Sequence, residues 1–376
     1  MTNRRDWLKT AATATAGLTL TSSFVQQLMA SPVSLAEKLH GINRPGKLIR
    51  LGSNENPYGP SEKARQAVIQ SLSEGNRYSH NVAGEVKKEI AENLQLTSDH
   101  IILGSGSSEL LCLAGMYTGL EGGAILSAFP TFRLLMDYGA KFNARWDKVN
   151  LDEFMKHDLS AMLSAIQPDT KMIFVVNPNN PTGTVVDSNQ LKSFCIEASK
   201  KAIVFVDEAY IEFLNDPEKE SMVQLVEDGH NIIVSRTFSK VYGLAGLRAG
   251  YLVGNPDLMK KISHKQVWGN YNQAGLAAAT ASLHDQDFVK MTKEKNAEAL
   301  AFFTNYLKDK NWFHGDSKTN VVLFPAPMDG KRILEETENK GFQIRIWDYQ
   351  NIEWCRVSIG TLDEMKAFTK AFDEIV

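Results

Sequence analysis

The sequence predicts an α/β protein in which a mostly parallel sheet is sandwiched by helices, with a smaller α+β domain at the C-terminal end. From Lys47 onward, short apolar runs alternate with amphipathic stretches, as strands and helices do in parallel sheets. After Gly269 the pattern changes to long helical stretches and then short strands. The 376 residues are about 2.5 times a usual domain length, which favours two closely packed domains.

Short apolar runs predict the strands of the parallel sheet, with helices between them. These runs are residues 101–103, 124–126, 172–176, 202–206, 232–234 and 249–253. In the C-terminal part, the pattern predicts helices over 272–284 and 287–308, strands over 321–324, 343–346 and 356–359, and a closing helix from Leu362. No repeat or long linker interrupts this part of the chain.

Residues 1–36 resemble a twin-arginine export signal. Arg4 and Arg5 precede an uncharged stretch, residues 10–30, which is rich in Ala and Thr. This stretch is too weakly apolar to predict a stable membrane span. Cleavage is predicted after Ala36, with Ser34 in the small-residue position before it, so we expect the protein to be exported folded to the periplasm. The alternative is a disordered or helical N-terminus on a cytoplasmic protein.

Composition and charge are those of an ordinary globular protein. Lys and Arg total 41 against 44 Asp and Glu, which gives a formal net charge of −3. The sequence has no stripe of basic residues, so nucleic-acid binding is not predicted. We therefore expect a small-molecule ligand. Cys112, Cys195 and Cys355 are too few and too far apart for a disulfide framework or a CxxC site, and no metal site is predicted.

Four groups of polar residues follow four of the predicted strands. They are residues 104–109, 177–183, 207–210 and 235–240, the last continued by Gly246-Leu247-Arg248. Ligands of an open parallel sheet bind beyond the carboxyl ends of its strands, so we expect these groups to share one cleft. The first group is a Gly-Ser turn before a helix, which suits an anion. Asp207 ends an apolar strand, where a buried carboxylate needs a partner.

Taken singly, each group has a simpler explanation, since the Gly-Ser turn can merely cap a helix and Lys240 can be a surface lysine. Taken together, they supply what pyridoxal 5′-phosphate requires of a protein. Lys240 offers an amine for its aldehyde and Asp207 an acid for its pyridine nitrogen. The remaining groups offer hydrogen bonds to its phenolic oxygen and an anion site for its phosphate.

The chain resembles the fold-type-I pyridoxal-phosphate aminotransferases over nearly its whole length after the signal, and among them the histidinol-phosphate aminotransferases. The matching segments, in chain order, are residues 53–60, 76–78, 104–109, 130–132, 179–183, 207–210, 239–240 with 246–248, and 356–360. The resemblance implies an N-terminal arm over 37–60, a cofactor-binding large domain over 61–270 and a small domain over 271–376.

By this resemblance, Lys240 carries the cofactor as an aldimine and then moves the proton between the substrate α-carbon and the cofactor. Asp207 is expected to keep the pyridine nitrogen protonated, so that the ring accepts an electron pair. Asn180 and Tyr210 are expected to hydrogen-bond the phenolic oxygen, with Tyr210 counted among the catalytic residues. Phe132 is expected to stack on the ring.

The resemblance also assigns the cofactor phosphate. Its expected ligands are Gly106, Ser107, Ser108, Thr237, Ser239 and Arg248. Tyr78 is expected to reach the phosphate of the neighbouring subunit, which implies a homodimer with shared active sites.

On the substrate side, Arg356 is expected to begin the last strand and to bind the acidic group of the substrate through its planar fork. Arg345 matches a second basic position, and Asn56 a substrate-side position where some relatives have an aromatic residue. Residues 346–355, with two tryptophans and a tyrosine, depart from the histidinol-phosphate pattern. The sequence therefore leaves the identity of the amino donor open.

The leading hypothesis for function is an aminotransferase of ping-pong type. An amino acid or a histidinol-phosphate-like amine would donate nitrogen to the cofactor, and a 2-oxo acid would remove it. The alternatives are a lyase on the same cofactor, either a C–S lyase or a decarboxylase, and a binding protein that retains the fold without activity.

Overall fold

A computed structural model of the chain describes residues 48–376. The predicted export signal and the first part of the predicted arm lie outside the described residues. Within residues 48–376, no helix is both long and apolar enough to cross a membrane. The division into a large and a small domain stays a prediction.

The described residues contain strands that form one large and two small sheets. In chain order the strands are β1 (Ile49–Arg50), β2 (Ile101–Gly104), β3 (Ala124–Phe129), β4 (Arg145–Asn150), β5 (Thr170–Val176), β6 (Ile203–Asp207), β7 (Ile232–Thr237), β8 (Gly250–Gly254), β9 (Val321–Pro325), β10 (Phe342–Gln343), β11 (Arg345–Tyr349) and β12 (Ile352–Ser358).

Helices pack around these sheets and connect most of the strands. They are α1 (Glu62–Ser71), α2 (His80–Asn93), α3 (Ser107–Leu120), α4 (Leu134–Gly139), α5 (Leu159–Ser164), α6 (Ser188–Ser199), α7 (Pro217–Glu220), α8 (Val223–Glu227), α9 (Pro256–Ser263), α10 (Gln273–Leu283), α11 (Gln286–Asp309), α12 (Gly330–Asn339) and α13 (Leu362–Asp373).

The large sheet has seven strands in the order β2-β8-β7-β6-β5-β3-β4. Only β8 runs antiparallel to its neighbours β2 and β7, and every other pair in the sheet is parallel. This confirms the predicted α/β class with a mostly parallel sheet. The six strands predicted for the parallel sheet all belong to this seven-stranded sheet.

Both faces of the large sheet are buried, which explains why its central strands read as continuous apolar runs. In β5, Ile173 and Val175 pack in the hydrophobic core on one face, whereas Met172, Phe174 and Val176 pack in the core on the other. Helices cover each face, and the polar residues that follow the strands are left at the carboxyl edge of the sheet.

Strand β4 was not predicted. Its sequence, Arg-Trp-Asp-Lys-Val-Asn, mixes charged and apolar residues, and every one of its side chains is at least partly exposed. It lies at the edge of the sheet beside β3, where charged residues are typical because they discourage pairing with other chains. A search for apolar runs therefore does not detect an edge strand of this kind.

The C-terminal sheet has the order β11-β12-β9 and is antiparallel. The predicted strands 343–346 and 356–359 are displaced, because β11 and β12 form a hairpin that uses the segment between them. Gln350 and Asn351 close it with φ values of 53° and 60°, the left-handed pair that two-residue hairpin turns require. Arg356 consequently lies near the end of the last strand and not at its start.

Candidate active site

A cleft of about 140 Å³ lies at the carboxyl ends of β5, β6 and β7 and the start of α3. Its lining contains ten of the residues predicted to bind the cofactor, together with three apolar residues that were not predicted to do so. The lining residues are Ser107, Ser108, Phe132, Val176, Asn180, Asp207, Ala209, Tyr210, Thr237, Ser239, Lys240, Ala245 and Arg248.

Asp207 is the last residue of β6 and is 3% exposed. Its Oδ1 atom is buried without a hydrogen-bond partner. Burial raises the pKa of Asp207 to about 7, although the Ala209 N–H, the Ser235 hydroxyl and the Lys240 charge favour the ionised form. A buried carboxyl with an unpaired oxygen needs a cationic partner that the cleft can admit, and a protonated ring nitrogen is such a partner.

The start of α3 is built to receive an anion. Gly106 precedes the helix with φ of 76°, and having no side chain it leaves the N–H groups of the first turn uncapped. Arg248 brings its guanidinium within 3.5 Å of the Ser108 and Ser239 hydroxyls. A Cβ atom at position 106 would displace this guanidinium, and the positive φ also favours glycine here. The helix dipole, the guanidinium and the hydroxyls together favour a bound anion at this point of the cleft.

The hydroxyl of Thr237 lies beside that of Ser239 and extends this anion site. Thr237 ends β7, and its Oγ1 lies 2.9 Å from the Ser239 Oγ. The Ser239 N–H in turn donates to Thr237 Oγ1 at 3.2 Å. The turn after β7 therefore holds the two hydroxyls together, with Ser239 beside Arg248 and one residue before Lys240.

Lys240 points into the cleft from the turn that follows β7. Its Nζ donates to the Asn54 carbonyl oxygen at 3.2 Å and lies 5.4 Å from the centre of the Tyr210 ring. No carboxylate of the described residues forms an ion pair with Lys240. Its amine is therefore held by one carbonyl and one ring face, both of which a reacting carbonyl group can replace.

Asn180 and Tyr210 lie on the two sides of the cleft. The Asn180 Oδ1 accepts a hydrogen bond from Arg356 at 3.2 Å, which leaves the amide N–H groups for a ligand. Tyr210 Oη accepts a hydrogen bond from Asn54 Nδ2 at 2.8 Å, which leaves the phenol proton for a ligand. Both side chains can thus donate to one acceptor oxygen in the cleft.

Arg356 is buried at the edge of the cleft and is short of counter-charge. Its guanidinium donates to Asn180 Oδ1 and to the Gly52 carbonyl oxygen, while its Nε has no partner. Burial and the nearby charge of Arg345 lower the pKa of Arg356 to about 10, so it remains a cation at neutral pH. Arg345 is exposed and lies directly opposite Arg356 across the β11–β12 pair.

The structure does not bring Asn56 and Tyr78 into this cleft. Asn56 donates to the Val241 carbonyl oxygen and accepts the Tyr58 N–H, so its amide is used within the protein. Tyr78 is 85% exposed, and its ring stacks on His80, whose ring in turn contacts that of Trp268 at a tilted angle. Tyr78 is therefore free to contact another molecule.

The sequence did not single out Asn54, although residues 53–60 are one of the segments that resemble the family. Asn54 contacts Lys240, Tyr210 and Ser358, so it joins three separate parts of the chain. The available signal was an asparagine among residues that follow the apolar Leu51, which by itself does not predict a contact with any of the three. Val176 was within reach of prediction, because it ends β5 directly before the polar turn.

Comparison with known proteins identifies relatives of this chain. The model for "Aminotransferase class I and II" matches residues 46–372. A histidinol-phosphate aminotransferase of Brevibacillus brevis is 33% identical over 331 residues, covering 88% of this chain and 91% of the relative. Histidinol-phosphate aminotransferase 1 of Cupriavidus pinatubonensis is 34% identical over 346 residues, covering 91% and 92%.

A solved structure has the same fold. It is the histidinol-phosphate aminotransferase of Sinorhizobium meliloti in complex with pyridoxal-5′-phosphate, with a TM-score of 0.80 at 24% identity. The superposition covers 92% of this chain and 95% of that one.

Proposed function

The chain belongs to the class I and II aminotransferase family, and from this premise we propose that the cleft binds pyridoxal 5′-phosphate and transfers amino groups by a ping-pong mechanism. The observation that supports this most is Asp207 Oδ1, a buried and unpaired carboxyl oxygen in the same cleft as Lys240 and the anion site. These three features match the ring nitrogen, the aldehyde and the phosphate of the cofactor.

When bound, the cofactor supplies a carbonyl carbon that takes up and returns the amino group, and a ring that accepts an electron pair. Asp207 would keep the ring nitrogen protonated, because a cation relieves the cost of its burial. Lys240 would supply the amine that attaches the cofactor and would move the proton at the substrate α-carbon as base and then acid. Asn180 and Tyr210 would donate to the phenolic oxygen, and Phe132 would cover one ring face.

We further propose that Arg356 binds the carboxylate or other acidic group of both substrates, with Arg345 as a second cation beside it. The buried Arg356 lacks an anionic partner among residues 48–376, and its Nε has no acceptor. An amino acid or histidinol-phosphate-like donor and a 2-oxo acid acceptor each carry the negative charge that this position favours.

Product analysis tests the reaction. The purified protein, loaded with pyridoxal phosphate, is incubated with a panel of amino donors and 2-oxoglutarate. Transamination forms glutamate in proportion to the donor consumed, and the cofactor absorbance changes with the donor alone because the first half-reaction needs no acceptor. Pyruvate with ammonia, or carbon dioxide, without glutamate would instead establish the lyase alternative.

We propose that Tyr78 donates to the cofactor phosphate of a neighbouring subunit in a homodimer. Tyr78→Phe should then weaken pyridoxal-phosphate binding by about ten- to a hundredfold, because a hydrogen bond to a charged group contributes about 1.5 to 3 kcal/mol. Titration of the cofactor-free protein with pyridoxal phosphate, followed by fluorescence, measures this. The matched control is Tyr117→Phe, which removes a hydroxyl near the amino ends of β6 and β7. Equal affinities for wild type and Tyr78→Phe would disprove the contact.

We also propose export to the periplasm through the arginine pair at the N-terminus. Replacing Arg4 and Arg5 with lysine keeps the charge but should retain the protein in the cytoplasm, because the export signal is read by a receptor and not by charge alone. Cell fractionation with immunoblotting detects this, and Lys9→Arg is the matched control within the same segment. Unchanged export of the double variant would exclude this route without affecting the enzymatic proposal.

A further inference from the structure

Asn54 occupies a buried position between the C-terminal sheet and the cofactor cleft. It is 1% exposed and has φ of 52°, in the left-handed region that asparagine tolerates better than most residues. This backbone conformation directs the carbonyl oxygen toward Lys240 Nζ, 3.2 Å away, and the side chain toward Tyr210.

The hydrogen bonds around Asn54 have a defined direction. The Asn54 N–H donates to Ser358 Oγ at 2.7 Å, and the Ser358 hydroxyl donates to Asn54 Oδ1 at 2.9 Å. This pair of bonds favours the amide orientation in which Nδ2 faces Tyr210. Asn54 Nδ2 then donates to Tyr210 Oη at 2.8 Å.

Because Tyr210 Oη accepts this bond, its own proton is available to a different partner. Within residues 48–376, no protein acceptor takes that proton. Tyr210 lines the cleft, so the proton can be donated to a ligand there. A hydroxyl that accepts one hydrogen bond also donates a stronger one, since the bonds in a chain polarise one another.

We propose that Asn54 is a positioning residue that makes Tyr210 a donor toward the ligand in the cleft. This inference rests on the proposed binding of pyridoxal phosphate, whose phenolic oxygen is the acceptor. Asn54 does not touch the reacting atoms in this role. Its effect passes through the Tyr210 hydroxyl, and removal of that hydroxyl should remove the effect.

A double-mutant cycle with Asn54→Gly and Tyr210→Phe tests this. Glycine retains the left-handed backbone and the carbonyl that Lys240 contacts, but it removes the side-chain donor. The readout is the pH at which the absorption band of the bound cofactor changes, measured without substrate. A weaker donor leaves more negative charge on the phenolic oxygen of the cofactor. The proton on the nitrogen that would join Lys240 to the cofactor, next to this oxygen, then dissociates at higher pH.

We expect Asn54→Gly to raise this transition by about 0.5 to 1 pH unit, the equivalent of one net hydrogen bond. Tyr210→Phe should raise it by at least as much. In the Tyr210→Phe background, Asn54→Gly should add less than about 0.2 unit, because residues that act through one contact are not additive.

The matched control is Asn143→Gly. Asn143 also has positive φ, 71°, but it is exposed near the amino end of β4, the opposite edge of the sheet from the cleft. This variant should leave the transition unchanged. Should Asn54→Gly not fold, Asn54→Asp is used in the same cycle, because aspartate keeps the shape and its carboxylate accepts a hydrogen bond where the asparagine amide donates one.

An unchanged transition in the Asn54 variant, or an equal shift with and without the Tyr210 hydroxyl, would overturn this inference and leave the proposed function standing. A wild-type protein that binds no pyridoxal phosphate at all would instead overturn the proposed function. The two failures are therefore distinguishable in the same set of titrations.

Discussion

Lys240→Ala is expected to lower kcat by about four orders of magnitude, because one side chain supplies both the amine that attaches the cofactor and the group that transfers the proton. Its Nζ faces the cleft with only the Asn54 carbonyl and the Tyr210 ring beside it. Steady-state kinetics with 2-oxoglutarate as acceptor measures the loss. Lys240→Arg should lose as much, because a guanidinium keeps the charge without acting as a nucleophilic amine.

Mapping the site of covalent attachment tests independently whether Lys240 is the lysine that binds the cofactor. Borohydride treatment of the loaded protein, followed by peptide mapping, should place a pyridoxyl group on the peptide that contains Lys240. The control Lys261→Ala removes an exposed lysine from α9 and should change neither activity nor labelling. Labelling of any other lysine in the wild-type protein would contradict the assignment.

Asp207→Asn is expected to reduce kcat by about 10²- to 10³-fold, because a neutral amide cannot stabilise the charge that develops on the ring. Affinity for pyridoxal phosphate should fall in the same variant. Asparagine has nearly the same shape as aspartate, so this loss reports the charge and not the packing. Wild-type kcat in Asp207→Asn would exclude Asp207 as the partner of the ring nitrogen.

The same substitution should have the opposite effect on the stability of the cofactor-free protein. The folded-state pKa of Asp207 is raised to about 7, above the unfolded value of about 3.9, so folded protein keeps a proton that unfolded protein releases. Stability is therefore fully present below about pH 4 and is lost as the pH rises to about 7, by about 4 kcal/mol at most. Asp207→Asn should remove this contribution.

Denaturant unfolding at several pH values measures this dependence for wild type and variant. Glu212 is also buried with its pKa raised to about 7, so the wild-type curve contains both contributions. The difference between the two proteins isolates that of Asp207. Parallel curves for the wild type and Asp207→Asn would show that the carboxyl is not buried unpaired in solution.

The sequence predicted those parts of the molecule that follow directly from strand order. Asp207, Lys240 and Ser107 each come soon after an apolar strand or begin the helix after one, and in a parallel sheet such residues meet at one edge. The predicted composition of the cofactor site depended on this regularity. Ten predicted residues line the cleft as a result.

The features that the sequence did not predict depend on contacts between distant segments, or lie in strands and turns whose side chains are exposed. Strand β4 carries its charged residues at a sheet edge, and the Gln350-Asn351 turn lacks the glycine that usually identifies a tight hairpin. Asn54 and Asn56 are two residues apart with the same side chain, yet only Asn54 reaches the cleft residues. No local pattern distinguishes them, because backbone conformation and tertiary packing decide which one does.

The bond between Asn54 and Ser358 spans 304 residues and has a consequence for the order of events during synthesis. A nascent chain still lacking β12 has no Ser358 to bond Asn54 and no Arg356 guanidinium to donate to the Gly52 carbonyl oxygen. Such a chain can form most of the large sheet while its catalytic centre is unfinished. Completion of the cofactor site therefore requires that the chain has been synthesised through β12.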